Sequence, residues 1–360
     1  MKILLLGDFS SAHFNLKLGL ETIGHDVTLV SHGDGFKKTP SDIKLYTRKS
    51  TENKYLGAIK EIKNQYELTK TLKNFDIVQT AAHIFFHNRI DKYLFPKLFE
   101  QNKKMVLFHA ACSEPYNKFV KTLDYSPCTT CKKYDLDKNQ CEHERGDAAQ
   151  FEYSRYSKYN AIVSAHYEYY KAFEHTVFKQ KNHFIPIPIQ TTELGEQILS
   201  PPEKINVYYG EIRKGFKGGH VIEEAIEKVK QSTYGCHFNF NTSSRLPYNE
   251  YVKVMNETHI LIDQVNSYSY GVNALIGLSK GKIVLSGAEP EAIEFIGSNT
   301  NECPIINIRP SADDIYNKLI FVLENKSQMP LWSRLGIEFV KKYHSPLKIA
   351  KEYEKLYLSL

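Results

Sequence analysis

The chain is predicted to be an α/β protein of two doubly wound parallel-sheet domains, and three observations predict it. Residues Lys2–Phe9, Asn15–Gly24 and Asp26–Ser31 read strand, amphipathic helix, strand. The same alternation restarts at Ile205, after a stretch carrying Pro201-Pro202. A length of 360 residues also exceeds what one ordinary core serves. The expected division is a first domain over 1–190, a second over 191–340 and a helix over 341–360 that returns to the first.

The composition narrows the class. Hydrophobic residues at 42% and charged residues at 24% are those of a globular chain. No run of eighteen apolar residues predicts a membrane span. The apolar start, Ile3 to Leu6, is too short for a secretory leader and ends in Gly7-Asp8 as a buried strand does. A cytoplasmic protein is the expectation. A net charge of +6 favours phosphorylated ligands or an anionic surface, without the basic concentration of a nucleic-acid binder.

Along the first half, the loop Gly7-Asp8-Phe9-Ser10-Ser11 closes the first strand, where such sheets bind ligands. It lacks G-x-G-x-x-G, which disfavours a dinucleotide cofactor. Tyr55–Phe75 reads as a helix, Asp76–Thr80 as a strand, Arg89–Glu100 as a helix and Lys104–His109 as a strand. His83, His87 and His109 fall at or past strand ends, facing the expected crevice, and His109 is delivered there by a buried strand.

Cys112 to His143 interrupts the alternation. Cys128-x2-Cys131 followed by Cys141-x-His143 supplies four soft ligands and predicts a closed structural zinc site, with Cys112 as the alternative to His143. Reduced free thiols are the competing expectation. No metal or other cofactor is expected in catalysis.

Beyond it, Ala148–Tyr159 reads as a helix and Asn160–Ser164 as a strand. Pro186 and Pro188 keep His183–Ile189 out of a central ladder, and Thr191–Glu203 reads as the linker.

In the second half, INVYYGEIRKGFKGGHVIEEAIEKVK reads strand, basic loop, helix. Arg213, Lys214 and Lys217 precede Gly218-Gly219, where free helix amides and a bare backbone suit a diphosphate. The strand Ile260–Val265 holds Asp263 and leads through Asn266–Gly271 into a second junction. There Gly271 permits close approach, and the amides of Val272 and Asn273 are free to meet the same ligand. Strands and helices continue through Lys282–Ser286, Glu291–Ile296, Pro304–Ile308 and Asp314–Leu323, and Leu331–Leu360 is a helical tail.

The segments GDFSSAHFNLKLGLETIGHDVTLVS, GEIRKGFKGG, DQVNSYSYGVNALIGLSKGKIVLSGAEPE and EFVKKYHSPLKIAKEYEKLY together resemble a GT-B glycosyltransferase of the retaining, nucleotide-sugar-dependent family 4 group. The resemblance implies transfer of a hexose-type sugar from a nucleoside-diphosphate sugar to a glycan or lipid-linked acceptor, with retention. The lack of an Asp-x-Asp clamp is consistent with metal independence, and the basic balance with a Tyr- and Lys-rich first domain is compatible with peripheral contact at the inner membrane face. Arg213 and Lys217 would hold the diphosphate and His109 would contact the donor sugar. Gly7, Gly218, Asp263, Tyr270, Gly271, Val272 and Asn273 would surround the donor.

The sequence departs from that group at one pair. Its Glu-x7-Glu positions are Tyr268 and Ile276 here, so Glu289 or Glu291 is the expected substitute. Two other readings follow from the same residues, a nucleotide-sugar epimerase and a catalytically silent sugar-nucleotide-binding partner of another transferase.

Overall fold

A computed structural model describes all residues except 47–50, 83–84, 137–140, 191–194 and 211. His83 therefore lies outside the described residues. The first sheet comprises β1 Lys2–Leu6, β2 Asp26–Ser31, β3 Ile43–Lys44, β4 Ile77–Thr80, β5 Lys104–His109, β6 Ala161–Ser164 and β7 Asn182–Phe184. The second comprises β8 Ile205–Gly210, β9 Phe238–Ser243, β10 Ile260–Ile262, β11 Ile283–Ser286 and β12 Ile305–Asn307.

The strand orders are β3-β2-β1-β4-β5-β6-β7 and β12-β11-β10-β8-β9, and the strand pairs run parallel. Parallel sheets covered by helices on both faces need strands apolar on both faces. In β1, Leu4 and Leu6 enter one core while Ile3 and Leu5 enter the other. The second sheet repeats the device. Val207, Ile262 and Leu285 face one layer, and Tyr208, Leu261 and Val284 face the opposite one.

That opposite layer is also the seam between the domains. Ala12, Phe108, Ala165 and Ile187 of the first domain share it with Leu275, Leu278 and Phe339 of the second. The tail is two helices, Met329–His344 and Pro346–Ser359. Pro346 takes the first position of the second helix, where its missing N–H costs no hydrogen bond. Met329–His344 packs on the second domain and Pro346–Ser359 on the helix Ala12–Thr22 of the first. Gly19 makes that return possible, because a Cβ there would lie 2.2 Å from the Pro346 carbonyl oxygen.

In each sheet the order reverses once, between β1 and β4 and between β8 and β10. Ligands of open α/β sheets bind outside the carboxyl ends of strands at such a reversal. Both basic-loop and Gly271 junctions leave from the second reversal, since they follow β8 and β10.

Candidate functional site

At the end of β8 the chain forms a single turn, Lys214–Lys217, and then the helix Gly219–Gln231. Gly218 joins them at φ +79°, and a Cβ there would sit 2.3 Å from Val265 Cγ1. Only glycine fits that position without strain. The turn carries Lys217 inward, where its ammonium donates to Asp263 Oδ1 at 2.6 Å. Asp263 follows β10 and is fully buried. Its second oxygen accepts the Gly271 amide at 3.0 Å. A Cβ on Gly271 would come within 2.6 Å of that oxygen, so the glycine is what admits the carboxylate. The two junctions are thus bridged by a carboxylate of the protein itself.

Arg213 is exposed, at the edge of the cysteine-bearing insertion. Its guanidinium lies 3.9 Å over the Phe216 ring, and Nη2 points to Cys131 Sγ at 3.9 Å. Of the two cations expected to hold a diphosphate, Lys217 turns inward onto Asp263, while Arg213 remains solvent-exposed beside Phe216 and Cys131.

The cysteine-bearing insertion fills the gap between the domains. It contains helices Glu114–Val120 and Pro127–Tyr134. The second helix packs against the turn Lys214–Lys217. Asp135 accepts the Gly215 and Phe216 amides at 2.9 and 2.6 Å. Thr130 donates to the Gly215 carbonyl at 2.7 Å, and Asn266 donates to Thr130 Oγ1 at 2.7 Å. Nearby, Tyr125 donates to Glu289 Oε1 at 2.7 Å, and its ring lies 4.9 Å from that of Tyr268.

Several expected residues take other places. Tyr270 is buried and its hydroxyl meets His344 Nε2 at 2.9 Å, so it ties the tail to the core instead of facing a donor. His109 is buried on β5, where Nε2 meets Ser113 Oγ at 3.0 Å and the ring stands edge-on to Phe173 at 4.9 Å. Aromatic packing encloses it, away from an open face. His87 caps the helix Asn88–Glu100, accepting the Arg89 amide. Glu289 is not a free acceptor: Arg309 grips it through two N–H groups at 2.9 and 2.8 Å, and Asn307 adds a third at 2.8 Å. Hydrogen bonding to Arg309, Asn307 and Tyr125 outweighs burial and holds its carboxyl below the usual range. Glu291 is exposed in the first turn of the helix Pro290–Phe295. Val272 opens the helix Val272–Ser279, and Asn273 Oδ1 accepts the Tyr251 hydroxyl at 2.6 Å.

In the first domain, Gly7 has φ +79°, and its bare face looks onto Ala81 and Phe85. Asp8 beside it accepts the His13 amide at 2.9 Å, and burial pushes its carboxyl up to about 7. A buried Glu168, likewise raised by burial, reaches across the seam to accept the Ser269 amide at 2.9 Å. Sequence reasoning missed Asp8, Tyr125, Asp135 and Glu168 as site residues. Only Asp8, in the loop after the first strand, carried a readable positional signal.

Cys112, Cys128, Cys131, Cys141 and His143 line one cavity of about 30 Å³. The cysteines are free thiols, and burial pushes Cys128 up to about 11. His143 Nδ1 meets Glu152 Oε1 at 2.7 Å. That contact leaves Nε2 as the ring nitrogen for a metal, as in carboxylate–histidine–zinc arrangements. Among the described residues, however, no group of three or more His, Cys, Asp or Glu side chains is gathered closely enough to hold an ion.

This architecture is the two-domain GT-B fold, with two Rossmann-like sheets and a returning C-terminal helix. The whole chain superposes on sucrose-phosphate synthase from Thermosynechococcus elongatus, covering 99% of it at 13% identity and TM-score 0.63. It likewise superposes on all of Anabaena HepE, solved in complex with UDP, at 10% identity and TM-score 0.62. A UDP-GlcNAc 2-epimerase from Neisseria meningitidis is matched over its full length at 13% identity and TM-score 0.52. No family model and no curated protein matches the sequence.

Proposed function

We propose that the chain is a glycosyltransferase that moves a hexose-type sugar from a nucleoside-diphosphate sugar to a glycan or lipid-linked acceptor, with retention and without a catalytic metal. The observation that carries this reading is the meeting of Lys217 and the Gly271 amide on one carboxylate at the second sheet's switch point. Asp263 itself takes the place between a cation and a helix-start amide, so a diphosphate at this junction would draw on the lysine's remaining N–H groups and on Arg213. As the bond between the sugar's anomeric carbon and the phosphate oxygen breaks, charge grows on the leaving diphosphate. Lys217 and Arg213 supply fixed positive charge beside it. The acceptor oxygen bonds to the anomeric carbon from the leaving-group face, and its proton passes to the departing phosphate.

The acceptor side rests on one surface feature. The helix Lys54–Thr71 exposes Tyr55, Leu56, Ile59 and Tyr66 alongside Lys60, Lys63 and Lys70, which are also exposed. An apolar face with lysines around it suits the headgroup level of an anionic membrane, where a lipid-linked acceptor resides. Among the described residues no helix is long and apolar enough to cross a membrane.

A thermal-shift screen of nucleotide sugars tests the donor assignment, because a ligand that binds only the folded state raises Tm. Failure of every nucleotide sugar to raise Tm or compete for the site would remove the assignment. A second reading, the catalytically silent partner, is favoured by Ile276 and Tyr268 at the glutamate positions and by the engagement of Glu289 with Arg309. Donor binding without hydrolysis or transfer selects it. Interconversion of the donor without acceptor selects the epimerase.

The cysteine insertion is proposed separately to hold a structural zinc ion at Cys128, Cys131, Cys141 and His143. Support comes from their shared cavity and the Glu152 contact to His143. Binding requires the donors to draw together from their present positions.

A further inference from the structure

The insertion touches the second domain with the chemical groups a nucleotide would bring. Tyr125 offers an aromatic ring to Tyr268, at 4.9 Å between centroids, and a hydroxyl to Glu289 at 2.7 Å. Asp135 offers a carboxylate to the amides of Gly215 and Phe216 at 2.9 and 2.6 Å, beside the cationic loop. Between them Thr130 is held by Gly215 and Asn266. The contact at Gly215 is close enough that a Cβ there would lie 2.5 Å from the Thr130 carbonyl oxygen. These contacts cover the carboxyl ends of β8, β10 and β11, the edge where ligands of this sheet class bind.

We propose that the segment Asp124–Asp135 is an internal stand-in for the donor nucleotide, and that a nucleoside diphosphate enters the crevice only by exchange with it. The proposal rests on the donor-binding reading above and adds an autoinhibited state to it. In the closed state Tyr125 and Asp135 satisfy aromatic and amide groups that would otherwise be left partly unpaired. Apparent affinity for a nucleotide is then reduced by the fraction of molecules in which the segment has swung out.

The test compares the full-length protein with the double variant Tyr125→Phe/Asp135→Asn, which removes one hydroxyl and one charge while keeping both shapes. UDP and GDP are the probes. Calorimetry gives their affinity, and hydrogen exchange follows the amides of Asp124–Asp135. The expected result is at least about tenfold tighter binding by the variant, as for a closed state holding nine-tenths or more of the molecules. Saturating nucleotide should also speed exchange across that segment in the unmodified protein. Equal affinities, with exchange unchanged or slowed on binding, would overturn the proposal and leave the donor site standing. No binding of either probe by either form would overturn the donor reading and the proposal together. Equal unfolding midpoints of the two forms show that the variant is folded, and the exchange readout still decides if they differ.

Discussion

Lys217 and Asp263 form an ion pair of 2.6 Å in which the carboxylate is fully buried and the lysine side chain is only 17% exposed. Asp263 also accepts the Gly271 amide, so one side chain fixes both junctions of the second domain. Asp263→Asn keeps the shape but removes the charge. It should lower unfolding stability by about 2–3 kcal/mol, the scale of a hydrogen bond to a charged group. A urea midpoint that does not move would show the pair to be idle.

Arg213→Ala and Lys217→Ala test the same loop through activity. Each should reduce sugar transfer by about 10²-fold, the loss for one donor at a developing oxyanion. Steady-state rates at saturating donor separate this from weaker binding. Unaltered turnover in both variants would place the reacting phosphate elsewhere.

Acid should destabilise the fold through buried histidines. Burial lowers His13 and His166 to about 4 and His344 to about 3, against an ordinary value of 6.5. The unfolded chain takes up these protons below pH 6.5 while the folded chain refuses them. Stability from these groups is therefore complete above 6.5 and drains as pH falls toward 4, by about 1.4 kcal/mol per pKa unit for each histidine. Unfolding free energy measured from pH 7 to 4.5 should fall, and a flat profile would contradict the burial.

Asp8 works in the opposite sense. Burial raises its folded value to about 7 from 3.8. Its contribution is present in full below 3.8 and is lost as pH rises through 7. Asp8→Asn should therefore gain stability relative to the unmodified chain at pH 8 compared with pH 5. Chemical unfolding of both proteins at the two pH values measures the difference, and an identical gap at each pH would refute it.

Gly19→Ala should uncouple the tail. The added methyl would overlap the Pro346 carbonyl, and overpacking of this kind costs about 1–3 kcal/mol. Limited proteolysis should then release Pro346–Ser359 first. Resistance equal to that of the unmodified chain would mean that the helix pair shifts without loss.

Metal analysis of protein purified from zinc-supplemented medium should find about one zinc per chain, the content of a single closed site. Cys128→Ser should abolish it. Metal-free protein with four titratable thiols in the insertion would leave the cysteines as a packed, reduced cluster.

Much of the architecture was legible from residue order. Ile3–Leu6, Val207–Tyr209 and Ile260–Ile262 are apolar on both faces, which only a covered parallel sheet satisfies. Gly218 and Gly271 announced tight junctions. Boundaries shifted by small amounts where helices frayed or caps intervened. The tail read as one helix is two, because Ser345-Pro346 turns the chain.

What the sequence determined alone is what depends on neighbours along the chain: strand and helix periodicity, the doubly wound order and the chemistry of the basic loop. Only tertiary structure decided that Asp263 bridges the two junctions, that Tyr270 and His109 turn into packed interiors, and that Tyr125 and Asp135 lie on the second domain. Those pairings join residues far apart in sequence, at 46 positions for Lys217–Asp263 and 164 for Tyr125–Glu289. A carboxylate's partner is fixed by which charges and amides the folded sheets bring within hydrogen-bond reach, and local patterning carries no record of that distance.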